Sequence, residues 1–159
     1  RHPGGSLGMR LLQVEEKMRS VEHCRLARTD DTVRQIFARP LPSRRTGAVM
    51  IVGTNDQLVG IFTDSDLARL FENRQDNALD QPIHEVMTIH PISVLEGTRL
   101  EDAVALLESR RLSELPVVDA NGRPRGLIDV VDLVGADFSA TAKETNGRSQ
   151  EQREHSSAA

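Results

Sequence analysis

The chain has 159 residues, a formal net charge of −4 and 38% hydrophobic residues, which suits one or two small globular domains. With four Phe and no Trp or Tyr, its core must be aliphatic, and an acidic chain without stacking rings argues against a nucleic-acid partner. No apolar run reaches the length of a membrane span, and a single cysteine, Cys24, forms no internal disulfide, which points to the reducing cytoplasm.

The first residue is Arg1 rather than Met, so a piece of a larger protein is expected. Residues 1–13 read as a linker. Its run Gly4-Gly5-Ser6-Leu7-Gly8 lacks the Lys-Ser/Thr ending of a P-loop and no strand precedes it, so a flexible lead is expected rather than a phosphate cradle. Val14-Glu15-Glu16-Lys17-Met18 then opens a unit that recurs at Ile83-His84-Glu85-Val86-Met87. In the first copy Val33, Ile36 and Phe37 have the spacing of a helix that buries one face, and Pro40 to Arg45 reads as a stiff loop. Ala48 to Val52 reads as a strand, Gly53 to Asp56 as a turn, and Leu58 to Phe62 as the returning strand.

That strand runs into Thr63, where an N-cap belongs. Asp66, three residues on, completes a capping-box pattern, and Leu67, Leu70 and Phe71 share one face of the helix that follows. A strand feeding a helix in this way turns free N–H groups and a positive dipole end outward, as anions require. A hydroxyl can donate to phosphate, and a carboxylate can accept two bonds from a sugar diol. Arg69, one turn on, adds a positive charge. The alternative is that Thr63 and Asp66 only cap a helix.

A polar joint, Asn73 to Pro82, leads to the second copy. Thr98-Arg99-Leu100-Glu101 predicts a capping box for a helix burying Leu100, Ala103, Val104 and Leu107. Leu115 to Val118, the Asn121-Gly122 turn and Arg125 to Ile128 predict the second hairpin. Its corner carries Asp129 and Asp132, an acid replacing the hydroxyl. The structural cap survives that change, but two carboxylates repel a phosphate, so this corner is expected to be empty or degenerate. Each half thus runs β segment, helix, β-hairpin, helix, over about 14–75 and 83–138, and residues 139–159 read as a disordered tail. A half of this size is marginal alone, so a stacked pseudo-twofold pair is expected.

The pattern Gly60-x-x-Thr63-x-x-Asp66, its weaker copy Gly126-x-x-Asp129-x-x-Asp132, Leu115-Pro116-Val117-Val118 and the two Met-ended segments resemble the CBS domain. The tandem resembles a Bateman module: an α/β (α+β) pair of repeats, each a small three-stranded sheet with two helices. In CBS pairs that bind nucleotides, the acid matching Asp66 takes ribose hydroxyls and the hydroxyl matching Thr63 sits near phosphate. Met50 and Pro116, with Val49, Met18, Met87 and Pro91 to Val94, are expected to form the wall against a flat base, or else ordinary core.

The lead His2-Pro3-Gly4-Gly5-Ser6-Leu7-Gly8-x-Arg10-Leu11-Leu12 resembles the junction of arabinose-5-phosphate isomerases, where a sugar-isomerase (SIS) domain precedes a CBS pair. The resemblance implies a parent converting ribulose 5-phosphate to arabinose 5-phosphate on the route to the lipopolysaccharide sugar Kdo. It also places His2 at the parent's active site and implies regulation of that isomerase by an adenosine nucleotide or CMP-Kdo, with self-association as dimer or tetramer. This fragment alone is expected to catalyse nothing, because no acid–base pair or activated nucleophile stands out. No cofactor, metal, nucleic-acid or membrane partner is expected; His23-Cys24, His84 and His90 lack the ligand spacing of a metal site. The competing readings are a ligand-free dimerisation module and a CBS pair of another parent, such as a transporter or a dehydrogenase.

Overall fold

The computed structural model describes residues 11–41 and 47–133. It divides the chain into two units, 1–129 and 130–159. The lead with His2, residues 42–46 with most of the Pro40 to Arg45 loop, most of the last expected helix and the tail lie outside the described residues. In the second unit, residues 130–133 are described and are helical.

The first unit holds β1 (Arg19–Ser20), β2 (Arg25–Arg28), α1 (Val33–Ala38), β3 (Ala48–Val52), β4 (Leu58–Thr63), α2 (Asp64–Glu72), β5 (Thr88–Ile89), β6 (Val94–Leu95), α3 (Leu100–Arg110), β7 (Glu114–Val118) and β8 (Pro124–Asp129). Two four-stranded sheets result, ordered β2-β3-β4-β5 and β1-β8-β7-β6. In each, a parallel pair, an antiparallel hairpin and a second antiparallel pair follow in the same sequence. Both hairpins also shift register at matching places, Ile51/Val52 and Val117/Val118.

The expected mixed α/β pair of repeats is what folds. Each sheet has one strand more than the three expected, and that strand comes from the other half. β1, from the first half, pairs with β8, and β5, from the second, pairs with β4. The Met-ended segments are themselves 3-10 turns, Val14–Glu16 and Ile83–Glu85. They deliver these short strands across the molecule, held by Val14 N–H to Thr98 O (2.9 Å) and Ile83 N–H to Asp31 O (2.8 Å).

Every residue of β3 is buried, which explains its unbroken apolar run: both faces of the strand are covered. Val49 and Ile51 face a core with Phe62, Val33 and Ile36 of α1 and Leu70 of α2. The alternate residues Ala48 and Met50 join Cys24, Ile61 and Leu127, linking the two sheets. At the far ends of the sheets the hairpin turns meet, through Leu58 N–H to Gly122 O (2.9 Å), Gln57 Nε2 to Asn121 O (2.8 Å) and Arg123 Nε to Asn55 O (2.9 Å).

Two local expectations change. The capping box at Thr98 does not form: Arg99 is the N-cap of α3 without a side-chain bond, and the Thr98 hydroxyl donates to Leu95 O at 2.6 Å. The joint is not a bare linker. Residues Asp76–Asp80 make a 3-10 turn whose Ala78 and Leu79 are buried in the first core, while Asp80 pairs with Arg34 at 2.7 Å. No helix among the described residues is long and apolar enough to cross a membrane.

Candidate functional site

β4 ends at Thr63 and α2 begins at the next residue. The capping box read from the sequence is formed. The Asp66 N–H donates to Thr63 Oγ1 at 3.2 Å, and the Thr63 N–H donates to Asp66 Oδ2 at 2.8 Å. The other carboxylate oxygen of Asp66 accepts from Arg69 Nη1 at 3.0 Å; Asp66 keeps 14% of its side chain exposed and Arg69 keeps 66%. Hydroxyl, carboxylate and guanidinium therefore stand together on one partly exposed corner. A diol could replace Arg69 on Asp66 Oδ1 and leave the guanidinium free for an anion.

What faces this corner was not evident in the sequence. The antiparallel registers pair Ala48 with Thr63 and Glu114 with Asp129, so these pairs occupy matching places in the two sheets. The Asp64 N–H donates to Gly47 O at 2.9 Å, and the Gly47 N–H donates to Asp129 Oδ2 at 3.3 Å, tying the two corners together. A Cβ on Gly47 would meet Glu114 Oε1, so glycine there makes room for the carboxylate. Burial, then the negative charges of Asp129, Asp64 and Asp66, push the Glu114 carboxyl up to about 7. Glu114 is a residue that sequence reading missed: an acid at the head of a buried strand gives no signal until register sets it opposite Asp129.

The remaining candidates fall in different places. Asp129 is 5% exposed, and Asp132 lies on the helical turn of the second unit. Met50, expected in the wall or else in ordinary core, is fully buried between the sheets. Pro116, paired in register with Leu127, is buried as well. Met18 and Met87 pack against glycines of the opposite hairpins, Gly126 and Gly60. His23 and Cys24 hold no metal geometry: Cys24 Sγ donates to the carbonyls of Arg19 and Ser20, each at 3.4 Å, and no cluster able to ligate a metal occurs among the described residues.

Two cavities open elsewhere on the first unit. One, of about 560 Å³, is lined by Arg28, Arg39, Arg123 and Arg125 among others; the other, of about 890 Å³, by Asn55, Val59, Met87 and His90 among others. Thr63, Asp66 and Arg69 line neither. In the first cavity Arg28 is paired with Asp56 at 2.9 Å and Arg39 with Asp31 at 3.2 Å, and Arg125 meets Glu96 at 3.4 Å.

Two sheets of identical order, each completed by a strand from the other half, define a tandem-repeat module. Residues 14–73 and 83–139 each match the model of the CBS domain, and the chain belongs to that family. It is 34% identical over 143 residues to arabinose 5-phosphate isomerase GutQ of Escherichia coli K12, covering 85% of this chain and 41% of the relative. To arabinose 5-phosphate isomerase KdsD of Francisella tularensis it is 33% identical over 134 residues, covering 84% and 40%. The chain thus spans about two fifths of the length of these relatives. Among solved structures it is similar to the Arabidopsis thaliana CBS-pair protein CBSX2 in complex with AMP, with a TM-score of 0.67 and 26% identity over 81% of this chain and 98% of the other.

Proposed function

We propose that the chain is a regulatory CBS pair that binds a nucleotide or nucleotide sugar and modulates an attached arabinose 5-phosphate isomerase. The observation that carries the reading is the corner at Thr63, Asp66 and Arg69: three complementary groups on one helical turn, partly exposed, with the hydroxyl and acid fixed by their mutual cap. Asp66 takes the ribose diol, while Thr63 and Arg69 face the phosphate. An adenosine nucleotide is favoured by the AMP held in CBSX2, and CMP-Kdo by the kinship to the two isomerases. Asp129 and Asp132, carboxylates both, serve the uncharged end of a ligand or none. The whole protein then catalyses the interconversion of ribulose 5-phosphate and arabinose 5-phosphate in a domain that includes His2, and self-associates through its CBS pairs. Regulation follows if the effector prefers one arrangement of the pair over another.

A second reading has its own support. Thr63 and Asp66 satisfy one another without a ligand, and Glu114 with Asp129 brings further negative charge to the same place. On that reading the pair only dimerises or stabilises the enzyme. Thermal denaturation with AMP, ATP, CMP and CMP-Kdo separates the two. An effector present at about 100 times its dissociation constant adds about 2.7 kcal/mol of stability. No shift with any of the four removes the sensing role.

A further inference from the structure

We propose that the cavity lined by Arg28 and Arg123, at the hairpin-turn end of the first unit, binds a phosphorylated sugar at a site separate from the corner at Thr63 and Asp66. The repeat singles this place out. The two hairpins match in register, with shifts at Ile51/Val52 and Val117/Val118, and Arg28 pairs with Val52 as Leu95 pairs with Val118. On that match the counterparts of Arg28, Arg123 and Arg125 are Leu95, Gln57 and Val59. Those of Asp31, Asp56 and Asp119 are Thr98, Gly122 and Gly53. All six charged side chains line the cavity, and none of the matching positions carries a charge. Asp56 adds a second sign. Its φ is 58°, in the left-handed region, where the other hairpin has Gly122 at φ 80°. A carboxylate kept in a conformation that glycine adopts freely points to a use for it.

The polar groups suit two kinds of ligand atom. Arg123 donates through Nε to Asn55 O at 2.9 Å, which fixes its guanidinium, and its two terminal nitrogens have no hydrogen-bond partner among the described residues. Arg28 holds Asp56 at 2.9 Å in a pair whose side chains are 65% and 66% exposed, so a phosphate can take the place of the carboxylate at little cost. Each acid is anchored through one oxygen. Asp31 Oδ2 accepts the Arg28 N–H at 2.9 Å, and Asp56 Oδ1 accepts from Arg28 Nη2. Asp119 Oδ1 accepts the N–H groups of Asn121 and Arg123 at 2.8 and 3.0 Å. The second oxygen of each acid has no hydrogen-bond partner among the described residues, which leaves acceptors for hydroxyl donors. Guanidinium forks for a phosphate, beside fixed carboxylates for hydroxyls, complement a phosphorylated sugar. The volume of about 560 Å³ is that of a small-molecule site.

Amide-detected NMR titration of the chain with ribose 5-phosphate, ribose and inorganic phosphate tests the site. Ribose 5-phosphate should shift the amides of Arg28, Asp56 and Arg123 to saturation. It should bind about tenfold tighter than ribose or inorganic phosphate, the worth of one further hydrogen bond to a charged group. Arg123→Gln, which installs the residue of the matching hairpin, should weaken ribose 5-phosphate about tenfold. No saturable shift at these amides, equal affinity for ribose 5-phosphate and inorganic phosphate, or unchanged affinity in Arg123→Gln overturns the proposal. So does a response confined to the amides from Thr63 to Arg69, which gives the sugar phosphate to the corner instead. The wild-type titration decides by itself, so the outcome does not depend on how the glutamine protein folds.

Discussion

The side chain of Met87 lies over Gly60, filling the space that a Cβ there would need. Met18 stands in the same relation to Gly126. These glycines belong to β4 and β8, and the methionines arrive with the 3-10 turns that lead into the exchanged strands. Each repeat thus presses a flexible thioether onto the bare backbone of the other.

Alanine at either glycine should destabilise the protein, and unequally. At Gly60 the atoms nearest the new methyl all belong to the Met87 side chain, which can swing aside. At Gly126 it also meets the carbonyl oxygen of Arg19, which is backbone. Gly60→Ala should cost about 1 kcal/mol and Gly126→Ala about 2–3 kcal/mol in urea denaturation. The reverse order would show that the β1 strand yields more easily than the methionine.

Stability should depend on pH through Glu114. Its carboxyl is raised from an ordinary 4.5 to about 7 in the fold. An acid raised in this way stabilises the folded state below 4.5, and that contribution is lost as pH rises through 7. Partial exposure screens the effect, leaving about 1–2 kcal/mol. Glu114→Gln should therefore be more stable than wild type at pH 8 by that amount. The two proteins should converge towards pH 5, measured by denaturant titration at each pH.

Thr63→Ala removes the hydroxyl that accepts the Asp66 N–H and should cost about 1 kcal/mol whether or not a ligand is present. Thr63→Ser keeps the cap and should return most of the loss. A ligand that no longer shifts the melting temperature of the alanine variant, yet does so for the serine variant, assigns the hydroxyl to both tasks.

Leu79→Ala tests the joint. A free linker would tolerate it, whereas Leu79 is buried with Ile36, Phe62 and Ile83. The loss expected on chemical denaturation is about 2–3 kcal/mol.

Much of this was legible in the residues. The hairpins showed as apolar runs around polar turns, α2 as a capping box with one apolar face, and the pair as a repeated Met-ended segment. The exchange of β1 and β5 was not legible, because a two-residue strand carries no periodicity and its partner is chosen by the fold. Arg99 could not be foreseen as an N-cap, since Thr98 offers the better residue but spends its hydroxyl on Leu95 O. The corner at Thr63 and Asp66 was read correctly as a cap. Its acidic surroundings were hidden because Glu114 and Asp64 are 50 residues apart in the chain and are brought together only by the packing of the two sheets.

The crossed strands bear on how the halves hold together. A lone repeat lacks the edge strand that its twin supplies, so each half completes its sheet only with the leading segment of the other. Cutting the chain between 73 and 82 should accordingly yield two pieces that stay together in gel filtration.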